Sequence, residues 1–172
     1  MTAPMTQEQV LSIPWNSVPP PRAKLFWVPS DSARKSALAR AMTSALASGR
    51  SALVVREWGV WPSAEVRPLF TLARRAIGSD ADVNACPGQE FGPEDGDAAV
   101  ALVACALYFC WSFDLVSLDR VCGFYVDEDD WICVTGTDGL AKRKLRQCLN
   151  QLHLEPLSPG DRLALLGGSR LP

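Results

Sequence analysis

The chain holds a single histidine, His153, together with six cysteines and nineteen acids. A Ser–His or Cys–His nucleophile system would have to use His153. That residue falls at the end of an expected helix, where an imidazole commonly serves the helix terminus. Cys86, Cys105, Cys110, Cys122, Cys133 and Cys148 form no CxxC pair and sit mostly in apolar runs. This is the pattern of buried free thiols in a reducing compartment. With neither CxxC nor HExxH, no metal site is expected. Cys122 and Cys133 are placed to face each other across a hairpin, where packing is the default and a metal pair stays open. Neither GxxxxGK[ST] nor GxGxxG occurs, so the usual phosphate loops are missing and no cofactor is expected.

Three segments have compositions suited to recognition. Arg56-Glu57-Trp58-Gly59-Val60-Trp61-Pro62-Ser63 places two tryptophans at the end of an expected strand. Tryptophan and arginine carry interface energy out of proportion to their number, so Glu57, Trp58 and Trp61 are candidate partner-binding residues. The polar loop 79–96 contributes Glu90, Glu94 and Asp95, and loops of this length in compact domains often carry function. Asp127-Glu128-Asp129-Asp130 is the densest charge in the chain. It lacks the glycine that an EF-hand loop needs, which leaves a solvated turn or a basic protein partner rather than calcium.

REWGVWPS, followed about two dozen residues later by Cys86-Pro87-Gly88-Gln89-Glu90-Phe91, resembles a group of small uncharacterised bacterial proteins. In those the second loop begins Ala-Pro-Gly-His; here Cys86 and Gln89 take the first and last places. The resemblance spans roughly residues 52–135. It implies membership of that group and no particular activity.

The 172 residues, 48% hydrophobic and 21% charged, suit one globular domain that needs no disulfide or metal to fold. The net charge of −2 hides an asymmetry: net +6 over residues 1–79, −12 over 80–138 and +4 over 139–172. No basic patch dominates, so nucleic acid is not an expected partner. The first fifteen residues show no basic region followed by an apolar one, and the expectation is a cytoplasmic protein. The most apolar run, Ala98 to Phe113, would make a helix of roughly 24 Å, short of a ~30 Å hydrocarbon core. It reads as a core helix, and no membrane contact is expected.

Leu25 to Val28 and Ala52 to Trp58 read as strands around a helix from Ser32 to Ala47, an order that suits a parallel crossover. A helix from Pro68 to Ile77, closed by Gly78, and the helix 98–113 follow. Val121 to Val126 and Trp131 to Thr135 read as a hairpin, and Asp138 is placed to cap a last helix from about Leu140 to Leu152. The expected class is α/β or α+β, in the order β-α-β-α-α-β-β-α. It is a single domain over 23–155 with a mixed four- to five-stranded sheet and helices packed on it. Residues 1–22 read as an irregular Pro-rich arm and 156–172 as a tail.

With acids abundant and catalytic motifs missing, the residues favour a non-catalytic module that binds a basic protein, in the manner of an immunity or antitoxin-type inhibitor. Its expected surface combines Glu57–Trp61, the loop 87–97 and the turn 127–130. The alternatives are a small enzyme using Glu57 or Glu90 as a general base, and a structural homo-oligomer, of which a homodimer is the simplest form.

Overall fold

The computed structural model describes residues 2–13, 23–57, 63–82, 85–119, 122–136 and 139–167. In chain order these form β1 (Ala3–Met5), α1 (Gln7–Ser12), β2 (Leu25–Trp27), α2 (Ser32–Leu46), β3 (Ser51–Glu57), α3 (Ser63–Ala76) and β4 (Gly88–Phe91). α4 (Gly96–Tyr108), β5 (Ser112–Ser117), β6 (Cys122–Val126), β7 (Trp131–Gly136), α5 (Gly139–Gln151) and α6 (Pro159–Gly167) complete the chain. The strands make one seven-stranded sheet in the order β1-β4-β3-β5-β6-β7-β2. Every neighbouring pair is antiparallel. The α+β class holds; the expected mixed sheet of four or five strands does not.

The expected crossover survives in altered form. Counting alternations across the sheet, β2 and β3 point the same way, but β5, β6 and β7 lie between them. β4 was hidden in the polar loop because only Phe91 among its residues is an inward apolar side chain, while Gln89 faces the Arg74 guanidinium. β5 was hidden at the end of the apolar run. α4 stops at Tyr108 because Cys110 turns left-handed, φ 52°, and the Trp111 amide donates to the Ala106 carbonyl. This is a Schellman closure with cysteine in the place glycine usually takes, so the stop signal was missing. The same closure at Gly78 of α3, where the Ser79 amide reaches the Arg74 carbonyl, was legible. The arm contains β1 and α1, the latter opened by a Thr6–Gln9 capping box, and the tail contains α6. Residues 14–22 and Asp138 lie outside the described residues.

Helices α3, α4, α2 and α5 pack side by side on one face of the sheet. They bury Leu38, Met42, Leu102, Leu107, Trp111, Leu145 and Leu149 against Leu53, Val55, Phe113, Leu115, Phe124, Ile132 and Val134. On the other face α1 covers one side, where Val10 and Met5 meet Ala52, Val54 and Val116. α6 covers the opposite side, where Leu165 and Leu157 meet Leu25, Trp131 and Cys133. Cys122 therefore faces the helix layer and Cys133 the second face, which removes the cysteine pair across the hairpin. Among the described residues no group of three metal-ligating side chains occurs, and no helix is long and apolar enough to cross a membrane.

Arg74 ties α3 to the sheet edge. Its fully buried guanidinium donates to Gln89 Oε1 at 3.1 Å and to the Cys86 carbonyl at 2.7 Å. Gly123 sets the β5–β6 approach: a Cβ there would collide with the Leu115 carbonyl oxygen and stand 2.8 Å from Val116 Cα. Both obstacles are backbone and cannot give way without separating the strands. Gly123→Ala should lower stability by about 3 kcal/mol, at the upper end of overpacking costs, measured by urea denaturation against wild type.

Candidate functional site

The register places Val54, Asp114, Tyr125, Cys133 and Leu25 in one row across the second face. β5 is buried along its whole length, so the Asp114 carboxylate has no access to water. Arg56 meets it, Nε donating to Oδ2 at 2.7 Å, with Asp114 0% and Arg56 35% exposed. A charge so buried must be paired and hydrogen-bonded to persist.

Next in the row, the Tyr125 hydroxyl donates to Asp127 Oδ2 at 2.7 Å. Burial foremost, then the hydrogen bond to Asp127, pushes its pKa well above the usual phenol range, so it stays protonated. The Cys133 thiol is pushed up to about 12, burial again leading and Asp114 adding to it.

The turn 127–130 follows directly from this row and is built rather than loose. The Asp127 carbonyl accepts from the Asp130 amide at 3.1 Å, and Asp127 Oδ1 accepts from the Asp129 amide at 3.1 Å. The Glu128 amide donates to Ser112 Oγ at 3.0 Å. Asp130 takes the left-handed position, φ 59°, which aspartate tolerates better than most residues. Its carboxylate lies 3.6 Å from Lys35 Nζ and accepts from Cys110 Sγ at 3.8 Å. Lys35 is 7% exposed and also donates to the Leu107 carbonyl at 2.9 Å, in the last turn of α4. One ammonium thus joins α2, the end of α4 and the hairpin tip.

Beside this tie, the α4 terminus presents two aromatics to solvent, Tyr108 at 42% and Phe109 at 39% exposure. Neither is loosely held. Tyr108 donates to the Ser32 carbonyl at 2.8 Å, and Phe109 stacks on buried Trp111 at 5.8 Å, which meets Phe70 edge-on at 5.1 Å.

The candidate residues separate into two groups. Glu57 pairs through its backbone with Ser112, at the sheet end that carries Asp127, Glu128, Asp129 and Asp130. Phe91, Ser51, Ser117 and Cys122 align at the opposite end, so Glu90, Glu94 and Asp95 lie roughly 17 Å away along β5 at the usual rise per residue. Glu90 is engaged by Arg50 at 2.5 Å and Asp95 by the Gly92 amide at 2.8 Å, while Glu94 is exposed. The expected single surface is therefore split between two ends of the sheet. Trp58 and Trp61 lie outside the described residues. Asp129 is the most exposed of the four acids in the turn, and the Asp130 side chain is about half exposed despite its contacts.

Lys35, Tyr108, Phe109, Asp114 and Tyr125 escaped the sequence reading. Lys35 had a signal: it shares the inward stripe of α2 with Leu38, Ala39 and Met42, where a lysine demands an acceptor. Asp114 had one too, as a carboxylate inside an alternating stretch with Phe113 and Leu115.

Burial raises the Cys110 pKa and Asp130 adds to it, so the thiol is not poised as a thiolate. His153 is exposed, with φ 50°, at the end of α5.

Replacing Arg56 tests the network. Arg56→Met takes the Arg56 cation away from buried Asp114, and folding then favours the protonated acid more than in wild type. The folded state would bind more protons than the unfolded one, so stability should fall as pH rises from 5 to 7. Urea midpoints for the variant should drop across that window by an amount that wild type does not show, with a loss of about 2 to 3 kcal/mol at pH 7 after allowing for the solvent exposure of Arg56.

Compared with known proteins, the chain matches no family model, no curated protein and no solved structure.

Proposed function

We propose that this chain is a non-catalytic module that binds a basic protein, with its docking surface at the sheet end that carries the turn 127–130. One observation carries the reading: the contacts of Asp130 with Cys110 and Lys35 fix two exposed aromatics, Tyr108 and Phe109, beside an acidic turn. Rigid aromatics within a charged rim are the usual anatomy of an energetic interface. The acids steer a basic partner into contact, and the rings supply area that is already ordered before binding. An immunity or antitoxin-type inhibitor, acting by occlusion, fits this division of labour. The free cysteines suit action in the reducing cytoplasm.

The expected partner is a basic protein retained from native-host lysate at low salt and released at moderate salt. With that partner purified, Glu128→Lys combined with Asp129→Lys should slow association about tenfold and flatten its salt dependence. Phe109→Ser should speed dissociation about tenfold or more. Unchanged rates in both variants, with folding intact by circular dichroism, would sink the proposal.

A further inference from the structure

Where β2 hands over to α2, an open pocket of about 300 Å³ is lined by Trp27, Val28, Pro29, Ser30, Arg34 and Glu155. It sits at the edge of the sheet and adjoins the hairpin tip and the end of α4: the Val28 amide donates to the Asp130 carbonyl at 2.7 Å, and the Tyr108 hydroxyl reaches the Ser32 carbonyl, between Ser30 and Arg34. The segment after α5 closes that edge: the Trp27 amide donates to the Glu155 carbonyl at 2.8 Å and the Leu157 amide to the Leu25 carbonyl at 3.0 Å. The backbone of Glu155 is thus fixed against Trp27, and its side chain starts from a defined place. Arg34 is fixed from the other side, its amide donating to the capping Asp31 carboxylate at 2.8 Å. Its Nη2 makes only long contacts, 3.5 Å to the Leu152 carbonyl and 3.4 Å to that of His153.

Among the described residues, the Arg34 guanidinium forms no ion pair and the Glu155 carboxylate has no hydrogen-bond or ion-pair partner. One small pocket therefore holds two opposite charges that neutralise neither each other nor a neighbour. The remaining wall is formed by Trp27, Val28, Pro29 and Ser30. A ligand carrying one charge would satisfy one side and leave the other exposed. A ligand carrying both, with an aromatic group against the partly exposed Trp27, would meet both charges. The volume lies at the lower limit for small-molecule sites, which favours a ligand the size of one amino acid.

We infer that this pocket binds a zwitterionic α-amino acid with an aromatic side chain. The carboxylate pairs with Arg34, the ammonium with Glu155, and the ring packs on Trp27. This site adjoins the protein-docking surface through the Val28–Asp130 bond, but its argument uses Arg34, Glu155 and Trp27 and does not require that reading.

The test is calorimetric titration of the full chain with L-phenylalanine, beside phenethylamine, which lacks the carboxylate, and 3-phenylpropionate, which lacks the ammonium. L-Phenylalanine should bind in the millimolar range, and each analogue at least tenfold more weakly. Arg34→Gln and Glu155→Gln should each weaken L-phenylalanine at least tenfold; both side chains are exposed, and folding is checked by circular dichroism. The double exchange of Arg34→Glu with Glu155→Arg should recover part of the loss. No binding of L-phenylalanine, equal binding of the three compounds, or variants that bind like wild type would each overturn the inference.

Discussion

The ion pair between Arg56 and Asp114 constrains much of the sheet's second face. β5 is central, with β3 and β6 on its flanks, and is covered on both sides. A carboxylate there can stay ionised only if a cation comes to it. Arg56 does so from β3, where the ladder shifts register between Val55 and Glu57. The next residue in the row, Tyr125, turns its hydroxyl to Asp127. Asp114 and Tyr125 are cross-strand partners, so the buried charge and the hairpin tip share one row of the sheet.

Lys35 makes the second connection. A lysine in the inward stripe of a helix must find acceptors within a few ångströms. The ones it finds are the Leu107 carbonyl, in the last turn of α4, and Asp130. Cations at a helix C-terminus interact favourably with the dipole, so the same ammonium finishes α4 and draws the hairpin tip toward it. The acidic turn then reads less as four free charges than as a shaped rim. Asp127 and Asp130 hold the turn in place, and Asp129 is the acid most open to solvent.

The sheet edges show a different economy. β1 is three residues long and contains Pro4, which cannot donate to an added strand. β2 is equally short, and residues 155–157 close its outer side. Among the described residues, neither edge presents a long run of free backbone donors and acceptors. The pocket beside β2 exists because closing that edge brings Glu155 against Trp27 while α2 starts on the other side.

Local pattern in the sequence determined the elements with strong signals of their own. Leu38, Met42 and Leu46 of the α2 inner face, the Gly78 closure of α3, the hairpin around 127–130 and the amphipathic α5 were legible, because each depends on periodicity or on a turn residue a few positions away; Ala45, expected on that inner face, is exposed. β4 and the start of β5 were not. Gln89 earns its place only by meeting Arg74, fifteen residues back, and Cys110 adopts a left-handed turn with no glycine to announce it. The segments Glu57, Glu90 to Asp95 and Asp127 to Asp130 were each legible as polar, yet their relative placement was not. Antiparallel register put Glu90 to Asp95 at one end of the sheet and Asp127 to Asp130 at the other. The ties of Asp130 to Lys35 and Cys110, which bring the acidic turn beside Phe109, bridge ninety-five and twenty residues of chain. Contacts of that separation leave no trace in local pattern, and only the tertiary fold decides them.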